Sequence, residues 1–392
     1  MSRGSGEAPR PPLGARARER TDNRSALLRA LRSSGPTTRH ELTRRTGLST
    51  STVASLVTEL ELAGTVTQVP VAQGGSGRRP LLVALSRSAV AALALDIGPR
   101  HIAAAVATPA AGIRAELSAE RPPRDHPRTT RRLVDAMTRR VVAESGADPA
   151  VLLGATVALD RVSTTPTACT LSEQPGGAGP AAHGGIDAGN LVRVLGEQWH
   201  LPVAVESRAR LGALAESSRS PEPQARTLLN VTCDGRVDLG ITIGGRIHRG
   251  HSGTAGMIGH HVVRAGGRLC PCGRRGCLDA YVDRSALQRA ARLGPVPSRT
   301  DPTDEVLLLA QAVAAASLVI DPSVVVLGGS LADLGEPFAA QLRAGLAAWQ
   351  NADPVPPLVR STLRGRAPLL GALDLWLCAG ERASDVHHFG RR

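Results

Sequence analysis

Lysine is absent from this 392-residue chain, so all 47 of its strongly basic side chains are arginines. Aromatic residues make up only 2%, and a core must therefore be assembled from Leu, Val, Ile and Ala. Cysteine occupies six positions, too sparse for a disulfide scaffold, which makes a reducing cytoplasm the default compartment. No stretch offers the roughly 18 uninterrupted apolar residues of a membrane span, and no membrane partner is expected. The opening MSRGSGEAPRPPLGARARER lacks the apolar h-region of a secretion signal and reads as a disordered basic tail over residues 1–22. The length allows two or three domains with a sizeable core.

The formal charge is +13 and unevenly spread. Residues 1–88 hold 14 Arg against 6 acidic residues, whereas the other 304 hold 33 against 28. A surplus concentrated in a small N-terminal module points to a polyanionic partner, although a general bias toward arginine inflates the charge everywhere.

Local pattern supports the first reading. A helix is expected from Asn23 as N-cap, with Ala26, Leu27, Ala30 and Leu31 on one face and Gly35-Pro36 as the stop. Thr38 and Glu41 have the spacing of a capping box, and Gly47 stands where a helix end needs positive φ. Ser49 can cap a third helix whose buried stripe is Val53, Leu56, Val57 and Leu60, ended by Gly64. Two short helices joined by a turn containing Gly form a helix-turn-helix. Thr65–Val71, the basic turn GGSGRRP and Leu81–Leu85 complete a winged helix over residues 23–88. Thr50, Ser51, Thr52 and Ser55 sit on the reading face of the third helix, while Arg39, Arg44, Arg78 and Arg79 are placed for phosphate or minor-groove contact. Double-stranded operator DNA is the expected partner.

From residue 89 the texture changes to apolar, β-rich runs with helical stretches between them. AVAALALDIGPRHIAAAVAT reads as a hairpin turning at Gly98-Pro99. Runs at 151–159, 201–207, 225–232, 239–247 and 323–330 repeat the theme, and helices are expected over Arg131–Glu144, Leu191–Trp199 and Glu305–Ile320. The fold class is α/β, in two lobes. Cys270, Cys272 and Cys277 fall within eight residues, which in a reducing setting suggests metal ligands, with a cluster of reduced thiols as the alternative. Cys169, Cys233 and Cys378 are isolated and read as small apolar fillers.

DIG at 96–98, AGMIGH at 255–260, CPCGRRGCLDAY at 270–281 and IDPSVVVLGG at 320–329 occur in the order and spacing of the ROK family. The segment from Asn23 to Val66 also resembles the winged helix at the front of that family's transcriptional regulators. The resemblance implies a two-lobed actin-like, hexokinase-type ATPase fold over residues 89–392. It further implies that His260 joins Cys270, Cys272 and Cys277 in a structural zinc site, within a loop spanning 260–277. One nitrogen and three sulfurs complete a tetrahedron and leave no open position. His261 is the rival ligand.

The same resemblance argues against catalysis. The family's proton-accepting aspartate lies in a segment that here reads Glu206-Ser207-Arg208-Ala209-Arg210, and a guanidinium cannot accept a proton. Ser207 stands for the sugar-holding Asn, Met257 for a Glu, and Asp279 for a longer carboxylate. Pro99 and Arg100 alter one phosphate loop, and Asp234-Gly235-Arg236-Val237-Asp238 replaces a Gly-rich turn with two acids. The loop at 172–190 lacks the family's Trp. Ser207, Arg208, His260 and Asp279 remain as candidate contacts for a sugar, sugar phosphate or sugar acid, with an internal ion pair from Arg208 to Glu206 or Asp279 as the alternative. The expected protein is a dimeric (or dimer-of-dimers) regulator, acting as a repressor. An active sugar kinase with an appended DNA-binding module and a ligand-independent factor stand as the other readings.

Overall fold

A computed structural model describes residues 20, 23–24, 26–28, 30–31, 34–70, 81–86, 89–109, 111–121, 127–160, 188–220, 227–293, 305–349 and 355–377. The chain divides into two compact units. One comprises 1–91 with 108–112 and 147–153, and the other holds the remainder.

In the first unit, Thr38 caps the helix Arg39–Thr46 by accepting the Glu41 N–H at 3.2 Å. The capping box is only half formed, because the Glu41 carboxylate is taken by Arg44 and Arg45 rather than returned to the cap. Gly47 ends this helix at φ 70°. Ser49 caps Thr50–Leu62 through the Thr52 N–H at 3.1 Å, and Val53, Leu56, Val57 and Leu60 are its buried face. Its end is a Schellman turn: Gly64 takes positive φ, and the Thr65 and Gly64 N–H groups donate to the Leu60 and Glu61 carbonyls. Val66–Pro70 and Leu81–Leu85 pair antiparallel, with Val83 also bridged to Thr37.

The expectation that Asn23 begins the first helix is corrected. Arg20, Asn23 and Arg24 are all helical, so Asn23 lies in helical backbone rather than at a cap. Leu28 joins Leu27 and Leu31 in the core, so the buried stripe is wider than the four-residue face suggested. Ala150 and Val151 enter the same apolar cluster, and Arg24 forms an ion pair with Asp148.

The second unit is built on two five-stranded sheets of the same topology. The first runs Gly112–Glu120, His101–Thr108, Ala91–Ile97, Leu152–Leu159, Val203–Ser207. The second runs Arg246–Ile247, Val237–Ile243, Leu228–Cys233, Val324–Leu327, Leu358–Arg360. In each, the outer hairpins are antiparallel and the last strands parallel. The hairpin at Gly98-Pro99 is present, as are Glu305–Ile320 and wider versions of the other two helices, Pro127–Ser145 and Ala188–Trp199.

Helices Arg208–Arg219 and Ala367–Leu377 pack against each other between the sheets. The first is seated very closely: a Cβ at Gly240 would meet the Ala209 carbonyl, and one at Gly371 the Leu211 carbonyl. Bare backbone at these two positions fixes where the helix begins, and it begins at Arg208. Among the described residues no helix is long and apolar enough to cross a membrane.

Candidate functional site

The carboxyl ends of the strands converge on Arg208. Its Nε donates to Asp96 Oδ1 at 2.7 Å, and its Nη1 to Asp160 Oδ1 and Asp234 Oδ2, each at 2.9 Å. Asp96 lies next to the end of Ala91–Ile97, Asp160 directly follows Leu152–Leu159, and Asp234 directly follows Leu228–Cys233. Arg208 is 5% exposed and Asp96 1%, against 38% for Asp160. Gly98 leaves the space that the guanidinium and His101 occupy, and His101 Nε2 lies 3.0 Å from Asp96.

The charges answer one another. Burial disfavours the Arg208 cation, but Asp96, Asp234 and Asp160 outweigh it and raise its pKa well above the ordinary value. Burial likewise opposes ionisation of Asp96, yet Arg208 and His101 hold this carboxyl below its usual range. At Asp160 burial wins: its pKa is raised, with Arg208 offsetting only part and Asp234 and Asp96 adding repulsion.

The internal ion pair is therefore present, with partners other than those expected from sequence. Glu206 pairs with Arg210 and Arg249, and Asp279 accepts the Val237 N–H at 2.9 Å. Three acids around one guanidinium leave the cluster negative, which disfavours an anion at Arg208. Ser207 is buried with its hydroxyl 3.4 Å from Asp238, and His260 faces Cys270. Arg208 is the member of the four candidates that lines a cavity of about 790 Å³, together with Pro99, Arg100, His101, Asp234 and Ser330. Asp160 was missed in the sequence; its one signal is an acid directly after an apolar strand.

The cysteine loop forms a second cluster. One ligand atom from each of His260, Cys270, Cys272 and Cys277 lies within 4.8 Å of the others. His260 Nδ1 is 3.8 Å from Cys270 Sγ, and Cys272 Sγ is 3.7 Å from Cys277 Sγ. Zinc–sulfur bonds of about 2.3 Å at tetrahedral angles place sulfurs about 3.8 Å apart, so the donors fit such an ion. Burial and the facing thiols push Cys277 up to about 11, a site where thiolates need a cation. Backbone pairs hold the loop, Val262 with Cys277 and Leu269 with Arg275. His261 is exposed and outside the set. Cys233 is a buried thiol raised to about 12 by burial, as a filler should be; Cys169 and Cys378 lie outside the described residues.

On the winged helix, Thr50, Ser51 and Ser55 are exposed and Thr52 half-buried. Ser49 Oγ lies 2.9 Å from Ser51 Oγ and 2.8 Å from Thr52 Oγ1, so the cap shares two of the four hydroxyls. Arg39 donates to Gln68, which in turn donates to Glu61. Arg44 and Arg45 hold the Glu41 carboxyl at about 2; Arg45 was not anticipated. Arg78 and Arg79, the tail 1–19 and the loop from 172 to 187 lie outside the described residues.

The ROK family model matches residues 92–379. The chain belongs to the ROK family. A DprA winged helix domain model matches residues 9–70. Among curated ROK relatives, the xylose repressor of Bacillus subtilis (strain 168) is 24% identical over 275 residues, 68% of this chain and 67% of that protein. Two solved ROK structures share the fold. A ROK family transcriptional regulator, homolog of the E. coli MLC protein, has a TM-score of 0.57 at 15% identity, covering 94% of this chain and 99% of that one. A ROK family glucokinase from Streptomyces griseus, in complex with glucose and AMPPNP, has a TM-score of 0.58 at 23% identity, covering 73% and 99%. The two-lobed, hexokinase-type actin-like fold is thus established for this ROK chain, while both repressors and sugar kinases stand among its relatives.

Proposed function

We propose that this chain is a cytoplasmic DNA-binding transcriptional regulator, acting as a repressor, whose ROK domain does not phosphorylate sugars. The carrying observation is Arg208. It stands where the family resemblance puts the proton-accepting aspartate, and a guanidinium has no lone pair for a proton. Around that position the polar groups are engaged by the chain's own ion pairs, Glu206 with Arg210 and Arg249 and Arg208 with three acids.

The proposed layout is a tail over 1–22, a winged helix over 23–88 and the ROK domain over 89–392. His260, Cys270, Cys272 and Cys277 would hold a structural zinc. Bound there, the ion supplies a four-way cross-link rather than a reactive position. The winged helix would place Thr50, Ser51, Thr52 and Ser55 at base edges and Arg39, Arg44, Arg78 and Arg79 at the backbone, with a homodimer reading a palindrome.

Selection from genomic fragments with the full chain tests this. Specific duplexes should be recovered, their binding should fall steeply with salt as arginines release counterions, and removal of residues 1–88 should abolish it. Failure to select any duplex, or turnover of a hexose with ATP and magnesium, refutes the proposal.

A further inference from the structure

Arg208 does more than remove a base. Its three carboxylates come from both halves of the cleft: Asp96 and Asp160 belong to the first sheet, Asp234 to the second. The Asp234 carboxylate is itself fixed by the Ser330 N–H at 2.9 Å. Asp234 also occupies a place where the family resemblance puts glycine. The new cation and a new anion therefore meet on the second sheet, against which the Arg208 helix packs, while Asp96 and Asp160 reach the guanidinium from the first. The Arg208 backbone cannot retreat, because its helix is seated on Gly240 and Gly371.

We propose that Arg208 is the domain's own occupant, a built-in cation that ties the two lobes together and holds the cleft closed without any small molecule. This deepens the regulator reading and, for its effect on DNA, rests on it. The link outward is one continuous run of chain. Asp148 pairs with Arg24, and Ala150 and Val151 are part of the apolar cluster of the winged helix. The same run continues as the strand Leu152–Leu159 and ends at Asp160 against Arg208. A lobe set free at Asp160 pulls on a strand whose beginning is built into the DNA-binding module. Ligand binding, which in a two-state domain acts by favouring one arrangement, is replaced here by an intramolecular bond.

The test compares the full-length wild type with Arg208→Met, which keeps length and loses charge, and Asp96→Asn, which removes the more buried of the two partners on the facing sheet. Hydrogen exchange over 152–160 and 228–234 and the radius of gyration in solution report closure. The expected result is exchange at least about tenfold faster in both segments of both variants, because breaking a buried pair leaves uncompensated charge, with an expanded radius. A cooperative thermal transition and wild-type far-ultraviolet circular dichroism certify that the variants are folded. Wild type should show no change in exchange with millimolar glucose, xylose or glucose 6-phosphate. Folded Asp96→Asn with wild-type exchange and radius overturns the proposal, even where Arg208→Met fails to fold. Protection of the wild-type cleft by any of the three sugars also overturns it. The DNA arm uses a duplex selected by the wild type, and both variants should change its affinity at least about fivefold. Unchanged affinity in open variants refutes the link through residues 147–160. A wild type that selects no duplex refutes the regulator reading alone, since the exchange arm reads the lobes independently.

Discussion

Two polar clusters in the ROK domain solve the same electrostatic problem in opposite ways. Around Arg208, the chain supplies both signs of charge, and the guanidinium and carboxylates satisfy one another. In the loop at 260–277, it supplies four donors of electron pairs and no cation among them. The first cluster is complete as folded. The second has the donor set for an ion from outside. The contrast shows why neighbouring ligand-like groups need not imply a ligand: what counts is whether the chain itself supplies a counter-charge.

The largest expected effect comes from breaking the second cluster. Cys277→Ser, or a strong chelator, should release about one zinc per chain and unfold the loop, because binding free energy at such sites is folding free energy. Metal analysis and the melting temperature read this out. A wild type purified without chelator at well under one equivalent contradicts it.

Next is Asp96→Asn, which removes a fully buried carboxylate from Arg208. Denaturant unfolding should show a loss of about 3–5 kcal/mol, the usual result of breaking one side of a buried pair. The pH dependence sharpens the point. Asp96 is held below its ordinary value, so its contribution is fully present above the unfolded carboxyl pKa of about 3.9 and is lost as pH falls through the folded value. Wild-type stability should decline on acidification, and Asp96→Asn should flatten that decline.

Asp160 should behave with the opposite sign. Its pKa is raised, so its ionised form opposes folding once pH exceeds the folded value. Asp160→Asn should therefore unfold no more easily than wild type at neutral pH, with the difference shrinking as the medium is acidified. A large loss at neutral pH would show that Arg208 needs all three acids.

The smallest effect lies in the winged helix. Ser49→Ala removes the Thr52 N–H acceptor and should cost about 1 kcal/mol, visible as a shifted unfolding midpoint with an unchanged slope.

Much of this architecture was readable in residues. The third helix announced its cap, stripe and end because Ser49, Val53, Leu56, Val57, Leu60 and Gly64 obey local rules that do not depend on the rest of the molecule. The three cysteines were similarly legible, being close in sequence, while His260 came with the family resemblance. The helix Arg208–Arg219 was not: it opens with two buried arginines and is buried over its first eight residues, so no polar face marks its period. Gly112–Glu120 and Leu358–Arg360 were also missed. One alternates cleanly but carries charges on its outer face, and the other is three residues long. The Arg208 partners escaped because Asp96, Asp160 and Asp234 lie 26 to 112 residues away in the chain. Distance in sequence hides charge pairs that strand ends bring together.

The matched exchange at 208 and 234 has a historical side. A reversal that began with Arg208→Asp would set a fourth carboxylate among three, with the guanidinium that bridges them gone. A reversal that began with Asp234→Gly would leave one guanidinium facing two acids, a balance the fold can carry. The two positions are therefore coupled: a carboxylate at 208 is accommodated more easily once the acid at 234 is gone.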